Sequence, residues 1–283
     1  TYCNVSKGDH FIFNNKTFYS LNIYISNKVK VYLSECEDTI NNWISIIRHN
    51  TGCDNINADY KLISQGENNF IGINRKTKKK VFIKSIKKNE LIPYDMPFHH
   101  NNLIKLIDKY EDRKTTYLVY EYFYGAPISN MDQHFIDEFR MKKIFVQIGE
   151  ALEHLHNRGI VIRKLTDRSV LIDRYDNVKL CCLEYCEYIG NESITEKVNK
   201  NEFDCPEQLF GLNSDLWNLG VLLIYTKTRS LFLDTSKRVE EILRNSDVYF
   251  SDDLIDLISK CLTNKDRRIN IKEFSEHKWF NLE

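Results

Sequence analysis

The sequence predicts an α+β chain, strand-rich in its first part and helical in the rest. Three observations carry this. Residues from about Thr17 to Asn50 read as strand, strand, helix. A second set of alternating apolar runs begins at Tyr60, and beyond these strands the apolar spacing becomes helical. At 283 residues the chain is long enough for one large or two small domains with a sizeable core.

The first strand runs through Phe18, Tyr19, Leu21, Ile23 and Ile25, and the second through Val29, Val31 and Leu33, with a turn at Asn27-Lys28. The run Asp38 to Arg48 then places Ile40, Trp43, Ile44 and Ile47 at helical spacing on one face. Thr51 to Asp59 is polar and turn-rich and reads as a linker. The basic run from Arg75 to Lys80 reads as a solvated hairpin tip.

Composition narrows the function classes. Forty basic and forty acidic residues cancel, so no global pull toward nucleic acid is implied. The eight cysteines lie at 3, 36, 53, 181, 182, 186, 205 and 261, without the spacing of a zinc site. No apolar run approaches the ~20 residues of a membrane span, and no secretory signal is read. A reducing, cytoplasmic location follows as the expectation.

Leu152-Glu153-His154-Leu155-His156-Asn157-Arg158-Gly159-Ile160-Val161 precedes Ile162-Arg163-Lys164 and Ser169. This stretch resembles the catalytic loop of a eukaryotic protein kinase, L-x-H-L-H-x-x-G-I-V followed by H-R-D-L-x-x-x-N. The resemblance extends from about Tyr60 to Phe280 and is closest to the calcium/calmodulin-dependent and calcium-dependent group. It implies a bilobal kinase-like fold, with a β-rich N-lobe and a helical C-lobe. Gly66, Asn68 and Ile71 stand at the glycine positions of the phosphate loop, followed by Ile73. Val81-Phe82-Ile83-Lys84 resembles V-A-I-K, so Lys84 either contacts α- and β-phosphates or is solvated at the cleft mouth. Phe82 takes the place of the alanine under the adenine ring and either plugs the pocket or turns into the N-lobe core. Tyr120 stands at the gatekeeper position, and Glu121 to Phe123 at the adenine-facing hinge.

The same resemblance implies degenerate chemistry. Lys164 replaces the aspartate that accepts the substrate proton, and a protonated lysine is no base. Ser169 and Cys182 replace the two metal-binding residues, and neither suits Mg²⁺ as a carboxylate would. A shifted register could recruit Glu184 or Glu187. The glutamate partner of Lys84 has no place between Lys84 and His100, where only Glu90 is available and Pro93 and Pro97 intervene. Structural positions are retained: Glu207 in Cys205-Pro206-Glu207, Asp215 and Trp217 in Asp215-Leu216-Trp217-Asn218-Leu219-Gly220, and Arg268, expected to pair with Glu207.

The early segment resembles the C-terminal half of a pleckstrin-homology (PH) domain, whose last strands lead into a helix with a buried tryptophan, here Trp43. The alternative is a generic hairpin and helix. The domains expected are therefore 1–52, PH-like; 53–59, linker; and 60–283, kinase-like. The expected function is a catalytically inactive scaffold or allosteric regulator, not an enzyme, with no cofactor and ATP and Mg²⁺ binding doubtful. Its partner would be a kinase or other signalling protein, and a phosphoinositide membrane could be reached through the PH half not in the sequence. Two alternatives stay open: a serine/threonine kinase with atypical residual ATP-dependent activity, and a nucleotide-binding sensor.

Overall fold

The structure, a computed structural model, describes residues 3–25, 28–51, 56–66, 68–87, 99–111, 114–131, 136–181, 183–190, 203–207, 211–230 and 238–281. The chain forms two compact units, Thr1–Leu91 with Lys105–Tyr122, and Ile92–Ile104 with Phe123–Glu283.

The first unit opens with an antiparallel sheet of β1 (Cys3–Lys7), β2 (Phe11–Phe13), β3 (Lys16–Ile25) and β4 (Lys28–Ser34), followed by α1 (Glu37–Thr51). β1 and β2 were not legible in the sequence. β3 is the common partner: it pairs with β1, with β2 through a turn at Asn14 and Asn15, and with β4. Both asparagines have positive φ, 50° and 58°, a conformation that suits this residue type in a tight hairpin. Val5 and Leu21 of the sheet pack against Ile40 and Ile44 of α1, with Tyr19, Ile23 and Ile47 around them.

Trp43 departs from the expectation of a buried helix tryptophan. It is 44% exposed and meets Tyr32 edge-on, with ring centroids 6.3 Å apart. The reason is the helix phase. Ile40, Ile44 and Ile47 form the stripe that faces the sheet, and Trp43 stands on its flank.

The same unit continues with a short helix α2 (Ile56–Asp59) and a five-stranded antiparallel sheet. Its strands are β5 (Tyr60–Ser64), β6 (Asn69–Asn74), β7 (Lys80–Lys87), β8 (Leu106–Glu111) and β9 (Thr115–Glu121), in the order β5-β6-β7-β9-β8. Alternate residues divide its faces. Val81, Ile83, Val119, Tyr60 and Tyr110 form a core with Ile56 of α2. The run holding Glu90, Pro93 and Pro97 lies outside the described residues.

The second unit is mainly helical: α3 (Glu138–His156), α4 (Leu212–Thr228), α5 (Val239–Arg244), α6 (Asp252–Cys261) and α7 (Ile271–Ser275). Short strands carry its loops: β10 (Gly125–Pro127), β11 (Ile160–Val161), β12 (Val170–Asp173), β13 (Val178–Leu180) and β14 (Glu187–Tyr188). Asp137 caps α3 by accepting the Arg140 N–H. α4 buries Leu216 and every residue from Asn218 to Ile224, so its apolar residues are buried on more than one face. No helix among the described residues is long and apolar enough to cross a membrane.

Candidate functional site

The residues singled out from the sequence fall on two separate frameworks, one in each unit. In the first unit the register of the five-stranded sheet decides which side chains share a face. Ile71 lies opposite Phe82, Asn69 opposite Lys84, and Phe82 opposite Tyr120. Directly paired residues point to the same side, so Ile73, Phe82, Lys84 and Tyr120 share the face away from the Ile83 core. Phe82 therefore does not turn into that core. It is half-buried beside Tyr120, which is 6% exposed. Glu121 pairs with Val81 and so lies on the other face, where its carboxylate accepts the Lys105 N–H at 3.0 Å.

The loop between β5 and β6 carries Gly66, whose φ of 150° favours glycine and whose missing Cβ would meet nothing within 4 Å. The Gln65 N–H bonds the Asn69 carbonyl at 2.8 Å, and Asn68 offers its carbonyl to the Ser85 N–H at 2.8 Å. Gly72 was overlooked in the sequence. A Cβ there would come within 2.5 Å of the Ile83 side chain and 2.7 Å of that of Val81, so any larger residue would force these core side chains to shift.

In the second unit, α3 runs directly into the loop that begins at β11. The buried carboxylate of Asp215 on α4 holds the start of that loop. It accepts the Ile162 N–H at 2.9 Å and the Arg163 N–H at 3.2 Å. His156 Nε2 lies 2.9 Å from the same carboxylate. Ile162 is fully buried, and Arg163 adopts a left-handed backbone with φ of 62°. The Arg163 guanidinium, on a side chain only 5% exposed, is paired with the Glu187 carboxylate.

Lys164 follows. Its ammonium sits over the ring of Tyr185, 4.2 Å from the centroid, a cation–π contact. Ser169 is buried, and its hydroxyl is used within the loop. It accepts the Thr166 N–H at 2.7 Å and lies 2.8 Å from the Thr166 carbonyl, to which it donates. The Ser169 carbonyl in turn accepts the Cys181 N–H at 2.8 Å. Cys182 lies outside the described residues. Glu184 is buried in the turn that follows, at 5% exposure. Phe123 lies against Gly125, where a Cβ would come within 2.4 Å of the Phe123 ring.

A magnesium ion finds a poor fit among the described residues. The Ser169 hydroxyl is spent on Thr166, Glu187 is spent on Arg163, and no group of three His, Cys, Asp or Glu side chains is placed to hold a metal. Glu207 and Arg268 are paired, with Nη1 and Oε1 2.7 Å apart. Burial pushes the Glu207 carboxyl up, but the hydrogen bond and charge of Arg268, together with hydrogen bonds from its own backbone and from Cys205, outweigh this and hold it below the usual carboxylate range. Arg268 also stacks over Trp217, 5.1 Å from the ring centroid.

Comparison with known proteins adds to this geometry. A family model described as protein kinase domain matches residues 65–280. The chain is 27% identical over 199 residues to a probable serine/threonine-protein kinase KIN1 homolog of Enterocytozoon bieneusi, covering 65% of this chain and 33% of that protein. It is 30% identical over 197 residues to serine/threonine-protein kinase PSK2 of Saccharomyces cerevisiae, covering 64% and 18%. It is 26% identical over 265 residues to calcium-dependent protein kinase 5 of Plasmodium falciparum, covering 86% and 46%. The chain spans less than half the length of each of these relatives.

Proposed function

The chain belongs to the protein kinase domain family, and from that premise we propose that it transfers a phosphoryl group from ATP to a protein serine or threonine hydroxyl, slowly and with rearranged catalytic groups. Membership of this family, with relatives named as serine/threonine-protein kinases, overturns the expectation that the chain is not an enzyme. The physical reason lies in the reaction. Phosphoryl transfer passes through a loose transition state and asks the protein mainly for positioning and charge. Loss of a base costs a factor of ~10²–10⁴. Applied to the ~1–100 s⁻¹ of ordinary kinases, that leaves slow turnover, not none.

The observation that supports this reading best is the shared sheet face of Lys84, Ile73, Phe82 and Tyr120. By the family resemblance this is the nucleotide face, with Lys84 meeting the phosphates. Lys164, a donor where the family has an acceptor, supplies positive charge to the transferred group instead of removing a proton. Of the two carboxylates that a shifted register would recruit, Glu187 is paired with Arg163, and the reading therefore takes Glu184, buried in the turn after β13. The test is single-turnover transfer from radiolabelled ATP to a serine/threonine peptide library, with and without Mg²⁺. Slow transfer in the natural chain that disappears in Lys84→Ala is expected. Transfer that is absent in the natural chain, or unchanged in Lys84→Ala, would overturn the reading.

The same proposal takes residues 60–283 as the kinase domain and 1–52 as a PH-like module that brings the enzyme to a protein partner or a phosphoinositide surface. The expected linker 53–59 gives way at Ile56–Asp59 to α2, whose Ile56 packs into the core of the five-stranded sheet. The sheet of β1 to β4 with α1 behind it supports that reading of 1–52. Cytoplasmic location, with peripheral attachment to membrane, goes with it.

A further inference from the structure

Arg163 combines two costly features. Its side chain is nearly fully buried, and its backbone is left-handed. A buried cation needs a partner that stays in place, and a left-handed arginine persists only where its surroundings hold it. The partner is Glu187 on β14.

The strand that delivers Glu187 is itself tied to the loop. Val161 lies opposite Glu187, and Ile160 opposite Tyr188. The pairing continues past the strand, where the Ile189 and Gly190 N–H groups both bond the Gly159 carbonyl, at 2.8 and 3.1 Å. Gly159 must be glycine here: its φ is 68°, and a Cβ would lie 2.8 Å from the Gly190 Cα. Two neighbouring cations thus grip two residues spaced by two on the facing segment. Arg163 takes Glu187, and Lys164 takes the Tyr185 ring.

We propose that Glu187 is a positioning residue: a built-in anion that, acting through Arg163, sets the Lys164 loop without any phosphate having to be added. Kinase segments are commonly ordered when a phosphate is placed beside an arginine and pairs with it. Here the anion belongs to the chain, so the loop is set at all times. The consequence for turnover rests on the proposed function; the ordering of the loop does not.

The test is hydrogen exchange and lysine labelling on the full chain, treated with phosphatase and shown by intact mass to carry no phosphate. Residues 159–166 and 183–190 are expected to stay protected after that treatment. Glu187→Gln should speed their exchange by about tenfold or more while α6 and α7 exchange as before. The same variant should raise acetylation of Lys164, a change that global loosening would spread over all lysines. Glu187→Asp should restore part of both signals. If Glu187→Gln fails to fold, the charge-swapped pair Arg163→Glu with Glu187→Arg should recover folding and protection. Protection lost on phosphatase treatment, unchanged exchange and labelling in Glu187→Gln, or a swapped pair that recovers nothing would each overturn the proposal. None of these readouts needs turnover, so a chain that transfers no phosphate would still decide it.

Discussion

The guanidinium of Arg268 reaches the carboxylate of Glu207 across 61 residues of sequence, 2.7 Å from nitrogen to oxygen. Arg268 also donates to the Asn213 carbonyl and to that of Thr263, so one buried side chain joins three stretches of chain. Replacing Glu207 by Gln removes the counter-charge and leaves the cation buried, a change expected to cost about 3–5 kcal/mol. Denaturant unfolding of the variant measures this. The dependence on pH has a defined sign. The Glu207 carboxyl is depressed in the folded chain, so its contribution is present above the ordinary carboxylate range and is lost as pH falls through the depressed value.

Asp215 gives a second prediction. Its carboxylate accepts two backbone N–H groups of the loop and is fully buried. Asp215→Ala strands both donors and should destabilise the chain by about 3 kcal/mol or more, since hydrogen bonds to charged groups are worth ~1.5–3 kcal/mol each. Thermal unfolding reads the loss, and exchange at Ile162 and Arg163 should rise even under native conditions.

Phe82 tests the nucleotide face. If the benzyl group fills the space of the adenine ring, Phe82→Ala should tighten ATP binding by the ~1–3 kcal/mol that overpacking typically costs. Calorimetric titration of ATP, with and without Mg²⁺, compares the variant with the natural chain. Equal affinities would show that Phe82 does not obstruct the base.

The imidazoles of His100 and His154 lie with ring centroids 5.0 Å apart. Both titrate below the ordinary imidazole range, chiefly because burial disfavours the charged form, helped by the nearby cation of Arg158. The unfolded chain therefore takes up protons first on acidification. Stability should be full above about pH 6.5 and fall as pH drops through the folded values. His154→Gln should flatten that slope, measured as unfolding midpoints between acid and neutral pH.

Legibility from sequence varied with the kind of signal. The strands from Tyr60 onward and the runs around Asp215 and Arg268 could be placed because apolar periodicity and short motifs coincide there. β1 escaped because Cys3-Asn4-Val5-Ser6-Lys7 is too short and too polar to show a pattern around the buried Val5. Trp43 was assigned to the buried stripe because spacing alone cannot separate a helix face from its flank. The Arg163–Glu187 pair had no signal: the residues are 24 apart, and the sequence offered Glu187 only as a metal ligand in a shifted register, not as a partner for an arginine. The self-contained bonding of Ser169 with Thr166 was equally silent, because a serine in a loop has many possible partners.

Asp215 also fixes an order of events during folding. The loop at Ile162 and Arg163 is anchored to a residue 53 and 52 positions later in the chain. Until α4 has docked, those N–H groups have no carboxylate to meet, whatever the local sequence prefers. Contacts of such separation form late because the closure of the intervening chain must come first. The segment bearing Lys164 should therefore be among the last parts of its unit to settle, and chain synthesis halted before α4 should leave it open.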